Sequence, residues 1–259
     1  MKALHIAASG MKAQELNVEV ISNNLANMRT TGYKRQRAQF QDLLYQNLRR
    51  VGTDTSDAGT RVPTGVQIGS GVRTAATSRI MSQGTPQLTK KELDVAIRGE
   101  GFFQIDLPDG TTAYTRDGAF ERDANGQLVT VDGYAVQPGI NIPGDTLDIS
   151  ISSDGQVQGT VNGAVQTFGQ LQLARFTNKA GLQAIGENLY LETEASGAPQ
   201  VSNPGDESTG TLLHKHLEMA NVEAVSEITD LISAQRAYEM NSRVIQAADE
   251  MMQTSSQLR

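Results

Sequence analysis

Apolar positions recur with a helical period at both ends of the chain and with a strand period between them. Leu4, Met11, Val18 and Leu25 lie seven apart, and Ala7, Gln14, Ile21 and Met28 follow each of them by three. This a/d spacing predicts a helix over residues 3–28, about 39 Å long, that stops near Thr30-Thr31 with Gly32 as a left-handed C-cap. Asn17, Asn24 and Thr31 form a second row, with Asn23 and Asn27 beside it. Polar residues in a seam fix register, and that is the role expected of these asparagines. Near the other end, Leu217, Ala224, Leu231, Tyr238, Ile245 and Met252 repeat every seven residues. Ala220, Glu227, Ala234, Asn241, Ala248 and Ser255 follow them by three, and Val244, Met251 and Leu258 add a neighbouring row. These rows predict a helix over 214–258, about 65 Å long. A further helical segment is expected at Phe40-Gln41-Asp42-Leu43-Leu44. The two terminal helices must pair, as a hairpin against a globular core or as a seam completed by neighbouring copies. Alanine-rich seams with polar breaks suit the second arrangement.

The middle of the chain has a different texture. All seven prolines lie between residues 50 and 210, with nearly all the glycines. Asp109-Gly110, Asp117-Gly118, Asn125-Gly126, Asp132-Gly133, Asp154-Gly155 and Asn162-Gly163 supply the positive φ angles of tight hairpins. Between and beyond them run strand-like stretches such as Phe102–Ile105, Leu128–Val131, Leu147–Ile151, Leu171–Phe176 and Leu189–Leu191. The expectation is an α+β fold. A discontinuous α-helical coiled-coil domain is built from both termini (residues 1–45 and 211–259). It flanks a long extended segment (46–74) and a central antiparallel β domain (75–210).

Composition narrows the chemistry. The formal net charge is −7, which argues against a general nucleic-acid binder. Cysteine is absent, so disulfides, thiolate-bound metals and cysteine nucleophiles are excluded. His214-x-His216 has no third ligand in sight, and Asp123-Ala124-Asn125-Gly126 lacks the closing glutamate of a calcium loop. Gly99-Glu100-Gly101 is not a phosphate cradle, because no Walker lysine or following helix accompanies it. No catalytic residue, metal ligand or cofactor is expected. Lys34-Arg35-Gln36-Arg37 and Arg49-Arg50 read as a solvated connector or as salt links between subunits. No run of 18 apolar residues exists, and the apolar stretch after Met1 is too short for a cleaved signal.

Three blocks carry a resemblance. Ser9-Gly10-Met11, Asn17–Asn27 and Thr30-Thr31-Gly32-Tyr33-Lys34 closely resemble the N-terminal signature of the bacterial flagellar rod and hook family. Leu217–Val222 and Thr229–Ser242 resemble its C-terminal signature, and Asp94–Phe103 resembles the opening of its β domain. Within the family, the stretch from Leu43 to Val72 is similar to the long segment of its distal rod members. Tyr114–Gly118 and Ile185–Tyr190 fit those members too. Met28-Arg29 and Tyr33 depart from the usual residues.

The resemblance implies a structural subunit of the distal rod, many copies of which assemble helically into a rigid hollow shaft that carries torque to the hook. It implies proximal rod proteins, the hook or its junction, the P and L rings and the type III export apparatus as partners, and a periplasmic position. On this reading the assembly seam comprises Leu4, Met11, Val18, Ile21, Asn24, Leu25 and Asn27, with Leu217, Leu231, Gln235, Arg236, Tyr238, Asn241, Ile245 and Met252. Tyr45, Arg50, Arg61, Pro63 and Ile68 serve the extended segment. The alternatives are a proximal rod or hook subunit and, in another class, a secreted β-rich hydrolase or adhesin.

Overall fold

In the computed structural model, residues 2–49, 64–206 and 209–257 are described. The chain divides into two compact units. The first holds Met1–Leu25, Gln36–Ser78 and Ala224–Arg259, and the second holds Ala26–Arg35 and Arg79–Glu223.

The first unit contains two helices, α1 (Lys2–Ala26) and α2 (Ala224–Gln257), and four strands. These are β1 (Gln36–Asp42), β2 (Tyr45–Arg49), β3 (Val66–Gly69) and β4 (Val72–Arg79). β1 pairs with β4, and β2 pairs antiparallel with β3. Residues 40–44 are therefore not helical. Along β1, Gln36, Ala38 and Phe40 are half-buried, and every second residue between them is exposed. That is a period of two, which a strand satisfies and a helix does not. α2 begins ten residues later than the heptad predicts, at about 51 Å in length.

Among the described residues, the strand pairings of the second unit are antiparallel. In chain order its strands are β5 (Pro86–Leu88), β6 (Val95–Arg98), β7 (Phe103–Asp106), β8 (Thr112–Thr115), β9 (Phe120–Arg122) and β10 (Leu128–Thr130). There follow β11 (Ala135–Val136), β12 (Leu147–Ile151), β13 (Gln156–Val161), β14 (Ala164–Gln170), β15 (Leu173–Arg175) and β16 (Gln183–Gly186). The last are β17 (Leu189–Leu191), β18 (Gln200–Ser202), β19 (Thr211–His214) and β20 (His216–Glu218). The main sheet has the order β16-β17-β8-β7-β11-β10-β9, with a three-stranded sheet β12-β13-β14 and the pairs β15-β18, β19-β6 and β20-β5. Leu217 thus sits on a strand rather than on the C-terminal helix, and residues 211–218 belong to the β unit. Leu212 is buried between two half-buried neighbours, and β19 lies in register against β6 from Thr211–Arg98 to His214–Val95. Lys215, at φ 61°, ends that pairing and starts the next.

The main core of this unit gathers Phe103, Ile105, Phe120, Leu128, Ile142 and Leu173, all excluded from solvent. A second cluster stacks Phe102, Tyr114, Phe176 and Tyr190, with ring edges meeting faces at 4.7–6.0 Å between centroids. Each such pair contributes about 0.5–1.5 kcal/mol beyond its buried area. Burial, with Glu192 adding to it, pushes the Tyr114 phenol up to about 12. The folded unit therefore holds this proton after the unfolded chain, whose tyrosines titrate near ~10, has released it. Its stability contribution is complete below that lower value and is lost as pH rises through the higher one. Burial holds the Tyr190 phenol up as well, so alkaline titration followed by tyrosine absorbance should show a late-ionising component to which both contribute, and Tyr114→Phe should reduce it without removing it.

Five of the six predicted turn glycines adopt positive φ. Gly118 does not. A Cβ there would lie 1.7 Å from the Val95 carbonyl oxygen, so this glycine serves close backbone approach instead of a hairpin.

Candidate assembly site

The three sequence blocks singled out above are the places where distant parts of the chain are tied together. In the first unit the tie is Asn24. Its side-chain oxygen accepts the Gln36 N–H at 2.9 Å, and its amide donates to the Gln36 carbonyl at 2.8 Å and to Glu227 Oε2 at 3.1 Å. One buried asparagine thereby holds the end of α1, the start of β1 and the first turn of α2. Gly10 faces Asn241, whose side chain would lie 2.9 Å from a Cβ on the glycine. Both pairs, 24 with 227 and 10 with 241, fit one antiparallel register.

The residues that α2 buries are Glu227, Ala234 and Ala248, with Asn241 half-buried between them. This row lies three residues after Leu231, Tyr238 and Ile245, and of its members the expected seam includes only Asn241. Small side chains let the backbones approach, so the alanine row takes the buried position. The larger residues Leu231, Ile245 and Met252 are left half-buried, and Tyr238 is 44% exposed. On α1, Ala7, Ala13, Val20, Ile21 and Asn24 are buried, whereas Leu4, Met11, Val18 and Leu25 are half-buried. Gln235 and Arg236 are exposed. Asn27 is half-buried beyond the helix, where its side-chain oxygen accepts from Thr30 Oγ1. Tyr45 and Ile68 are exposed on the β2–β3 ribbon, and Gln46 pairs with Ile68. Arg50, Arg61 and Pro63 lie outside the described residues.

In the second unit the tie is ionic. Lys34 is 1% exposed, not a solvated connector or a link to another subunit. Its ammonium donates to Glu218 Oε1 at 2.5 Å and to the Ser82 carbonyl at 2.9 Å. Glu218 also accepts the Gly84 N–H at 2.8 Å and stands 3.7 Å from the Arg116 guanidinium. Arg116 donates to the Gly99 carbonyl at 2.8 Å and lies over the Phe102 ring. Burial pushes the Lys34 ammonium below its ordinary range, and the Glu218 carboxylate opposes that shift. Burial likewise lowers Arg116, with Glu218 opposing. Two cations around one carboxylate make Glu218 the group on which the cluster depends.

Beside the cluster, Gly32 does not cap α1, which ends six residues earlier. It is still left-handed, at φ 67°, and donates its N–H to the Glu218 carbonyl at 2.8 Å. A Cβ there would meet the Asp117 backbone nitrogen at 2.7 Å. Asp117 accepts from Thr31 Oγ1 at 2.8 Å and from the Ala119 N–H at 3.1 Å, although burial raises its carboxyl above the usual range. Asn221 completes the arrangement. It accepts the Arg35 N–H at 2.7 Å and donates to the carbonyls of Ile80 and Ser82 at 2.8 and 3.0 Å. Arg116, Glu218, Asn221 and Glu227 stand in the sequence motifs and rows with no role expected of them, and Lys34 is expected at a solvated or inter-subunit position rather than in a buried cluster. The available signal was a charged residue inside an otherwise apolar or glycine-rich run.

The histidines and the short acidic motif are occupied by the backbone. His214 Nε2 contacts the Glu92 carbonyl and His216 Nδ1 the His214 carbonyl, each at 2.7 Å. Asp123 takes the N–H groups of Asn125 and Gln127 at 2.8 and 2.7 Å. Among the described residues no cluster of three or more metal-ligating side chains occurs, and no helix is long and apolar enough to cross a membrane.

The tied segments coincide with known sequence families. Residues 4–34 match the flagella basal body rod protein family, and residues 214–258 match the C-terminal region of the flagellar basal body rod FlgEFG proteins. Residues 96–159 match the D1 domain of flagellar hook protein FlgE/F/G. Over its whole length the chain is 59% identical to the flagellar basal-body rod protein FlgG of Caulobacter vibrioides, covering all of both sequences. The chain belongs to the FlgG family of flagellar basal-body rod proteins. It is a structural protein of the flagellar rod, and its family is not an enzymatic one. Another relative, FlgG of Agrobacterium fabrum, is 54% identical with 97% of each chain covered, and FlgG of Bacillus subtilis is 40% identical over 98% and 97%. A crystal structure of Helicobacter pylori flagellar hook protein FlgE2 overlaps 71% of this chain and 43% of its own, at 16% identity and a TM-score of 0.26. That overlap is too loose to bear on the fold.

Proposed function

We propose that this chain is a subunit of the distal rod, and that its copies assemble helically through their terminal helices into a hollow, rigid shaft that passes torque to the hook. The observation that supports this reading is the inverted burial of α2. The helix spends its buried row on Glu227, Ala234 and Ala248 and leaves Ile228, Ile232, Tyr238, Met240, Val244 and Met251 between 44% and 66% exposed. Apolar surface left open in one copy is surface available to its neighbours. Repeated contacts that do not close on themselves build a helical filament. In that filament the helices order as a coiled-coil layer, residues 75–210 form the antiparallel β domain, and the shaft meets proximal rod proteins, the hook-side junction and the P and L rings. The subunit reaches its periplasmic position through the flagellar type III apparatus.

Basal bodies purified from cells lacking this gene should carry rods that stop short, and the full chain supplied in trans should restore a hollow helical extension. Rods of full length in the deletion strain would overturn the reading. We assign residues 46–74 to bracing between neighbouring copies. The β2 and β3 ends of this segment are exposed almost throughout, which leaves their faces available for such contacts. Removing 46–72 should yield rods with a lower bending stiffness in electron micrographs, and rods of unchanged stiffness would sink the assignment.

A further inference from the structure

Two features of the helical unit remain unused by a single copy. The first is a groove between α1 and α2 with a volume of about 440 Å³, lined by Glu15, Val18, Glu19, Gln235, Tyr238 and Glu239. The lining comes from positions i, i+3 and i+4 of a helix and from i, i+3 and i+4 of its neighbour, which is how two helices share one furrow. Val18 and Tyr238 give it an apolar floor, and three carboxylates stand around the rim. The second is a ridge on α2. Met240, Val244 and Met251 are 61%, 48% and 66% exposed and recur at i, i+4 and i+11. At about 100° per residue they fall within about 40° of one another. The furrow residues of α2 face about 165° away from them, on the other side of the buried row. Arg236 and Arg243 edge the ridge, both exposed. None of these two arginines and three glutamates has an ion-pair partner among the described residues.

We infer that the furrow of one copy receives the α2 ridge of a second copy, with Met240 and Val244 over Val18 and Tyr238 and with Arg236 and Arg243 among the carboxylates. The inference rests on the rod reading above and specifies its lateral contact. Charge complementarity selects the occupant, because an acidic-rimmed apolar furrow and a basic-edged apolar ridge occur on one helix pair. Furrow and ridge lie on opposite flanks, so every copy offers one to each side. The contact is heterologous and propagates, where a two-fold contact would stop at a dimer.

Charge exchange tests this in the full chain, expressed in cells lacking their own copy, with rods per cell and swimming as readouts. Glu15→Lys/Glu19→Lys puts cations on the furrow, and Arg236→Glu/Arg243→Glu puts anions on the ridge. Each variant alone should lower rod number at least about tenfold, since like charges then face each other. The four substitutions combined in one chain should restore rods to within about twofold of the parent. Parental rod numbers from either two-residue variant would overturn the inference. So would failure of the combined chain to exceed both of them. Absence of rods with the unaltered chain would instead overturn the rod reading itself.

The chain's lack of cysteine allows a second, independent measurement. Val18→Cys/Met240→Cys, oxidised in purified basal bodies, should give a ladder of covalent dimers, trimers and longer species, with neither single variant doing so. A product that stays monomeric would count against the contact.

Discussion

Replacing Glu218 with alanine should destabilise the β unit by about 3–5 kcal/mol, the cost typical of breaking a buried ion pair from one side. The carboxylate is 1% exposed and is the shared counter-charge of Lys34 and Arg116, at 2.5 and 3.7 Å. Without it two cations remain buried, and the Gly84 N–H loses its acceptor as well. Urea unfolding of the full chain, followed by tyrosine fluorescence, measures the effect. A midpoint shift equivalent to less than about 1 kcal/mol would show that Glu218 does not hold the cluster together. The companion variant Lys34→Met/Glu218→Leu removes a charge of each sign and should recover part of the loss, because well-packed apolar groups often replace a buried pair without penalty. A structural protein gains from the native pair in a different way. It can form in only one register, so residues 30–35 are fixed to the β unit at one place.

The second large effect is expected at Asn24. Asn24→Asp changes no volume, yet it turns the donor facing Glu227 into a carboxylate about 3 Å from another and also faces the Gln36 carbonyl with negative charge. Two buried carboxylates at that separation cannot both ionise, so the folded state retains a proton that the unfolded chain gives up near pH ~4. A carboxyl raised in this way stabilises the fold below its ordinary value and loses that contribution as pH rises through the raised one. The variant should therefore keep its helix pair near pH ~5 and lose it by pH ~8, at a cost of about 3–5 kcal/mol at the upper end. Circular dichroism at 222 nm against pH follows it directly. Asn24→Ala serves as the reference, since it should weaken the pair equally at both pH values. A flat pH profile for the aspartate variant would remove Asn24 from its place facing Glu227.

How much of this was legible in the sequence varies with how local the cause is. The terminal helices and the antiparallel middle follow from periodicity and turn residues, which are properties of neighbouring positions. The failures occur where a tertiary partner decides. Phe40–Leu44 has helical composition, but β4 lies alongside it and Ala38 and Phe40 turn inward with a period of two. Residues 214–218 share the heptad of α2, but β5 and β6 claim them as strands. The choice of buried row was also decided by the partner. Leu231 and Tyr238 are the more apolar residues, yet Asn241 lies against α1 at Gly10, where the missing side chain allows close approach. The ionic cluster was least visible. Lys34 reads as part of a basic run until Glu218, 184 residues away, is known to meet it.

The sequence distance across these ties has a consequence for how the molecule is made. Asn24 and Glu227 are 203 residues apart, and Gly10 meets Asn241 from still farther along the chain. Contacts of such separation close last, after the intervening chain exists and has been brought together. A polypeptide interrupted anywhere in its β unit has an α1 with no α2 to receive it. A chain cut short before its second helix therefore lacks the Asn24–Glu227 tie, and the surface formed by both helices exists only on a chain synthesised through to its second helix.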